Sequence, residues 1–303
     1  MKILDVQHSA VNFTVPPKAC DCHVHVFGPV SRFPYWSGRS YLPGDAPVEQ
    51  LLALQQALHL QRVVIVHPSP YGTDNRCSID AAQRINAGTA SSVGSTARVV
   101  VVIDPAAISD AELKAMHAAG VRGVRVNLES AGQHDPKAVQ RLLEDAAARV
   151  AHLGWHVQTF TNLPVIIELA EVIARLPAPL VIDHFGHVPA AKGVTQSGFD
   201  VMVDLVKRGN TWVKLSAPHR ISTAPDCADV EPIARALVDA NPDHMLWGTD
   251  WPHPGGHPGA GRSPDVIEPF NPIDDGNALN RFAHWVGDAA RLEIGRASCR
   301  ERV

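Results

Sequence analysis

Short runs of β-branched and apolar residues recur along the chain, and between them apolar positions return every three or four residues. The runs read as strands and the intervening stretches as helices. Eight strands are predicted: Ala19–His25, Arg62–His67, Ala97–Asp104, Val121–Asn127, Trp155–Phe160, Leu180–His184, Thr211–Ser216 and His244–Asp250. Helical spacing marks Val48–Leu60, Ala111–Ala119, Pro136–His152, Pro164–Leu176, Phe199–Arg208, Glu231–Ala240 and Ala278–Leu292. Ser109 and Glu112 have the spacing of a capping box, Pro136 suits a first helical position, and Gly120 and Gly154 stand where helices stop. Eight strands alternating with helices over about 290 residues match a (β/α)8 TIM barrel better than a doubly wound sheet. No Gly-x-Gly-x-x-Gly or P-loop sequence follows any strand, which removes the main support for a nucleotide-binding fold.

A chain of 303 residues, 45% hydrophobic and 19% charged, has enough apolar material for a large core. The barrel is expected over residues 17–292, after an N-terminal extension of residues 1–16. Residues 293–303, Glu-Ile-Gly-Arg-Ala-Ser-Cys-Arg-Glu-Arg-Val, back-translate into a string that reads like a short-read sequencing adapter. They are set aside as an assembly scar, and the native chain is expected to continue differently beyond Leu292. Net charge is -4 and no run of Lys or Arg could follow a phosphate backbone, so nucleic acid is not an expected partner. The start lacks the apolar core of a signal peptide and no run is long enough for a membrane span, so a cytoplasmic protein is expected, monomeric or homo-oligomeric. Five cysteines, none in a CxxC pair, make no disulfide framework; Cys20 and Cys22 are expected to be buried against an outer helix.

Chemistry in such barrels gathers at the C-terminal ends of the strands. Alternation along the first strand puts Asp21, His23 and His25 on one face. The fourth strand offers Arg125, the sixth ends in Asp183-His184, the seventh gives Lys214-Leu-Ser216 before His219-Arg220, and the eighth ends at Thr249-Asp250. An ionised Asp250 can take a proton from water while histidines stabilise negative charge on a carbonyl oxygen, which is a hydrolase constellation. Arg125 and Arg220 supply donor forks suited to a substrate carboxylate, and Tyr41, Ser69 and Thr73 can add hydrogen bonds. Residues 252–276, rich in Pro and Gly, read as a lid or substrate-selecting loop after the last strand.

Asp21-x-His23-x-His25-Val-Phe-Gly-Pro29, Gly72-Thr-Asp-Asn75, Val181-Ile-Asp-His184-Phe-Gly and Trp247-Gly-Thr-Asp250-Trp-Pro-His-Pro254 together resemble the amidohydrolase-related family. Within it they are similar to the 2-pyrone-4,6-dicarboxylate lactonases and the 4-sulfomuconolactone hydrolases. The resemblance implies hydrolytic opening of a lactone bearing an acidic group, in aromatic-compound or sugar-acid catabolism. It also implies Asp250 as base for the attacking water, His23, His25 and His184 polarising the carbonyl, and Tyr41, Ser69, Arg125 and Arg220 on the acid groups. Two positions depart from the pattern. A basic Leu-Lys-Arg segment after the fourth strand is replaced by Leu128-Glu129-Ser130-Ala131, and no tyrosine ends the fifth strand, which reads His156-Val-Gln-Thr-Phe160. Glu129 would repel a second carboxylate, which favours a lactone with fewer acid groups or with hydroxyls.

Zinc sites in this superfamily add a ligand from strand four or five, where this chain has Arg125, Gln158, Thr159 and Phe160. A metal-free site is therefore expected; the alternative is Zn²⁺ or another divalent ion on His23, His25, His184 and Asp250. Two other enzyme readings are a metal-dependent decarboxylase, which needs a strand-five histidine missing here, and a metal-dependent DNase, which the acidic charge disfavours. A barrel that binds an acidic metabolite without turnover is the non-enzyme reading.

Overall fold

The computed structural model describes residues 6–88, 95–129, 132, 135–255 and 262–287, so residues 293–303 lie outside the described part. The strands are β1 (Cys20–Val24), β2 (Arg62–Val66), β3 (Thr96–Val101), β4 (Val121–Asn127), β5 (His156–Phe160), β6 (Leu180–Ile182), β7 (Thr211–Ser216) and β8 (Met245–Gly248). The helices are α1 (Val48–Ala57), α2 (Arg76–Asn86), α3 (Asp110–Ala118), α4 (Pro136–Val150), α5 (Leu163–Glu168), α6 (Ala170–Ile173), α7 (Phe199–Arg208), α8 (Glu231–Ala240) and α9 (Asp275–Val286). The eight strands follow chain order in a single sheet with helices between them, the (β/α)8 barrel that the alternation predicts. Every residue of β1 and of β7 is buried, as expected for parallel strands covered on both faces.

Two compact units divide the described residues, those in 6–121 with those in 249–284, and those in 122–248 with 285–287. In the first, β1, β2 and β3 pair in parallel, and the segment just after β8 returns to β1 through a parallel bridge between Trp251 and Val24. In the second, β4 to β8 pair in parallel in chain order. The local signals act as read. Ser109 Oγ accepts from Glu112 N while Glu112 caps Ser109 N, Asp135 caps α4 with Pro136 at its first turn, and Gly120 and Gly154 adopt positive φ. Cys20 and Cys22 are buried.

Several boundaries differ from those the sequence predicts. Helix α2 occupies residues the sequence reading leaves as loop; its polar face, with Arg76, Asp80 and Arg84, dilutes the apolar signal carried by Cys77, Ala81, Ala82 and Ile85. The stretch predicted as one helix from Pro164 to Leu176 is two short helices broken at Leu169. Helix α9 starts at Asp275 rather than Ala278, and within the described residues it ends at Val286. Strands β6 and β8 stop at Ile182 and Gly248, before His184 and Asp250, because both of those residues take left-handed backbone angles. No helix among the described residues is long and apolar enough to cross a membrane.

Candidate active site

In the first unit the carboxylate of Asp250 faces both histidines of β1 and its exit. His23 Nε2 and His25 Nε2 lie 3.6 and 3.5 Å from Asp250 Oδ1, and all three side chains are buried. His25 Nδ1 stands 2.8 Å from the carbonyl of Val66, which only accepts, so the proton of the neutral ring sits on Nδ1. His25 then turns Nε2 toward a carboxylate oxygen 3.5 Å away, an arrangement that positive charge at Nε2 stabilises. A proton on Nε2, giving an imidazolium beside Asp250, provides it; so does a divalent ion.

Backbone bonds hold this group in place. Asp250 N donates to His23 O at 2.9 Å and His25 N to Trp251 O at 2.7 Å. Asp250 itself has φ 69°, in the left-handed region that aspartate tolerates better than most residues. Behind it, Asp21 accepts from His23 N, Thr249 N and Thr249 Oγ1. Complete burial pushes Asp21 up to about 7, against these hydrogen bonds, which pull it down.

In the second unit His184 follows β6 on a turn where His184, Phe185, Gly186 and His187 all have positive φ. Gly186 takes φ 61°, and a Cβ there would press on Ile166 Cδ1 at 2.8 Å, so glycine suits both the turn and its packing. His184 Nδ1 lies 2.9 Å from Ser216 Oγ, a hydroxyl able to donate or accept. When Ser216 donates, neutral His184 carries its proton on Nε2 and is a hydrogen-bond donor there. The ring of Phe160 meets His184 and His187 edge-on, at 5.3 and 4.8 Å between centroids. Arg125 and Arg220 approach the same ring at 5.6 and 6.0 Å.

The sequence reading did not assign roles to Asp183, Gln158 and Lys214, which form a buried network here. Asp183 accepts from Gln158 Nε2 at 3.0 Å and Arg125 Nη2 at 3.4 Å, and Lys214 Nζ lies 3.5 Å from its other oxygen. Lys214 also donates to Gln158 Oε1 at 2.7 Å. Two cations therefore share one carboxylate, with Asp183 wholly buried and Lys214 2% exposed. Strand alternation contained the signal: Lys214 and Ser216 are two apart on β7, as are Arg125 and Asn127 on β4, and Asp183 directly precedes His184.

Of the loop residues, Tyr41 is buried with Arg262 stacked 4.3 Å over its ring. Ser69 opens a short 3-10 turn and is half-buried, while Thr73 is exposed. Part of the predicted lid is described. Ile267–Glu268 pairs in parallel with Leu42–Pro43, and Arg39 reaches the carbonyl of Pro264, so the loop after β8 is fastened to the loop after β1.

The distance from Asp250 to each of the two histidines matches ligand spacing on a divalent ion. Ligands about 2.1 Å from a tetrahedral ion stand about 3.4 Å apart, close to the 3.5 and 3.6 Å found between the imidazole nitrogens and Asp250 Oδ1. His25 Nδ1 on a backbone carbonyl is also how a metal-bound histidine is oriented. On β4 and β5, by contrast, Arg125 cannot ligate and Gln158 is engaged with Asp183 and Lys214.

The chain is 36% identical over 283 residues to a 4-sulfomuconolactone hydrolase of Rhizobium radiobacter, covering 92% of this chain and 87% of the relative. It is 40% identical over 257 residues to a 2-pyrone-4,6-dicarboxylate hydrolase of Comamonas testosteroni, covering 81% and 80%. A solved structure from Pseudomonas putida, described as a 2-pyrone-4,6-dicarboxylic acid hydrolase, superposes with a TM-score of 0.74 at 29% identity over 93% of this chain and 96% of that one. The amidohydrolase family model matches residues 20–300, and the chain belongs to that family.

Proposed function

We propose that this protein is a lactone hydrolase, opening a cyclic ester that carries a carboxylate or similar acid group. The observation that carries the reading is the buried convergence of His23 and His25 on Asp250, 3.6 and 3.5 Å from one carboxylate oxygen. The names of its relatives, hydrolases of 4-sulfomuconolactone and of 2-pyrone-4,6-dicarboxylate, support it.

Asp250 takes a proton from water, and the hydroxide adds to the lactone carbonyl carbon. Charge then develops on the carbonyl oxygen. Neutral His184, with its proton on Nε2, donates to that oxygen, and the imidazolium form of His25 adds positive charge. Collapse of the tetrahedral adduct breaks the ring C–O bond; the proton held on Asp250 passes to the leaving oxygen to give a hydroxyl, and the new carboxylic acid ionises to a carboxylate with release of a proton. Arg125 and Arg220 hold the acid group of the substrate, with Tyr41, Ser69 and Thr73 as the hydrogen-bonding loop residues. Glu129, fixed by Asn162 Nδ2 at 2.6 Å, puts a negative charge just beyond β4. That placement favours a lactone with one acid group and hydroxyls over one with two acid groups.

On this reading the reaction needs no metal, because Arg125 and Gln158 fill positions where a metal site would draw further ligands. The spacing around Asp250 favours a second reading, in which His23, His25 and Asp250 hold a divalent ion with His184 as a further ligand. Such an ion would supply Lewis-acid polarisation of the carbonyl. Metal analysis of protein purified without chelator separates the two: near-stoichiometric zinc whose removal abolishes turnover establishes the second.

The test of the function itself is a panel of lactones followed by proton release. It includes 4-sulfomuconolactone, 2-pyrone-4,6-dicarboxylate, galactarolactone and fuconolactone. Turnover of at least one, lost in Asp250→Asn, is the expected result. Saturable binding with no product on every member would instead make the barrel a metabolite-binding protein.

A further inference from the structure

The proposed base stands on backbone that needs holding. Asp250 is fully buried at φ 69°, and its two neighbours are tied into one hydrogen-bonded circuit. Thr249 N donates to Asp21 Oδ1 at 3.0 Å and Thr249 Oγ1 to Asp21 Oδ2 at 2.7 Å. The same threonine oxygen accepts from Trp251 N at 2.9 Å, so its only hydrogen is directed to Asp21 and its lone pair to Trp251. Asp21 Oδ1 also accepts from His23 N at 3.1 Å, on the strand whose imidazole faces Asp250. One carboxylate therefore grips the residue before the base, reaches the residue after it through a hydroxyl, and holds the main chain of one histidine partner.

We propose that Asp21, acting through the hydroxyl of Thr249, is the positioning residue that aims the carboxylate of Asp250 at the attacking water. This rests on Asp250 being the base. Asp21 contacts neither water nor lactone in this role. What it sets is the orientation of the turn at 249–251, and a misplacement of about 1 Å at a reacting group costs about 100-fold in rate.

The test uses Thr249→Val, which keeps the shape of the side chain and removes the hydroxyl, Thr249→Ser, which keeps the hydroxyl, Asp21→Asn, and Asp250→Asn as reference. Kinetics are measured on whichever lactone of the panel the parent turns over fastest, normalised to folded protein. Thr249→Val and Asp21→Asn are expected to lower kcat by about 100-fold with KM within about threefold, and Thr249→Ser to recover kcat to within about threefold. A Thr249→Val protein that loses thermal stability but keeps parental kcat overturns the proposal and leaves Asp21 a structural residue. If Asp21→Asn does not fold, the Thr249 pair decides alone. An active Asp250→Asn refutes the base assignment itself, whereas an inactive Asp250→Asn beside a fully active Thr249→Val refutes only the positioning role.

Discussion

The two groups of strand-end residues are built by different means. Around Asp250 the main chain does the holding: amides of residues 23, 25, 249, 250 and 251 are all committed to carbonyls or to the Asp21–Thr249 pair. Around Asp183 side chains hold side chains, with Arg125, Lys214 and Gln158 sharing one buried carboxylate. Backbone bonds fix position to within fractions of an ångström, which proton transfer demands. Around Asp183 the side chains instead set Arg125 and Lys214 against one wholly buried carboxylate. On the proposed reading, chemistry belongs to the first group and anion recognition to the second.

Four substitutions break or sharpen that division. The largest effect is expected from Asp250→Asn, which removes the proton acceptor and should cut kcat by at least about 1000-fold, with an unchanged circular-dichroism spectrum. Retention of a tenth of parental activity would place the base elsewhere. Lys214→Met leaves the buried Asp183 with less compensation, so chemical denaturation should show a loss of about 3 kcal/mol. A loss below about 0.5 kcal/mol would mean that the lysine contributes nothing to the network. Arg220→Met should raise KM for an acidic lactone by about tenfold while kcat moves less; a fall in kcat with KM unchanged would move this arginine from recognition to chemistry. The smallest effect belongs to Thr73→Ala. Its exposure predicts kinetics within about twofold of the parent, and a larger rise in KM would show that the loop after β2 folds onto bound substrate.

Much of this was legible in the sequence, for identifiable reasons. The His-x-His spacing was enough to bring His23 and His25 together, although β1 ends at Val24 and its register shifts between Asp21 and Val24, so strict strand alternation does not extend to His25. The capping box gave the start of α3 and the proline at a first helical position that of α4. The Asp183 network was not read, since its members come from β4, β5, β7 and the exit of β6, and no local pattern records which strands are neighbours. Helix α2 was missed because charge along its outer face outweighs the small buried residues on its inner one. The exits of β6 and β8 were read as strand, since nothing in their composition announces runs of left-handed angles at non-glycine residues.

The left-handed angle at Asp250 also bears on how this barrel can change in evolution. Most side chains at that position would strain the turn, but asparagine and glycine fit it as comfortably as aspartate. Both are one nucleotide away from an aspartate codon. Mutation at this position that keeps the turn intact is thus channelled toward the two replacements that delete the proposed base and leave the proposed anion-recognising residues unchanged. A lineage that no longer needs turnover has a single-step path to a ligand-binding descendant, and Asn or Gly at this position in a relative would be the mark that the step was taken.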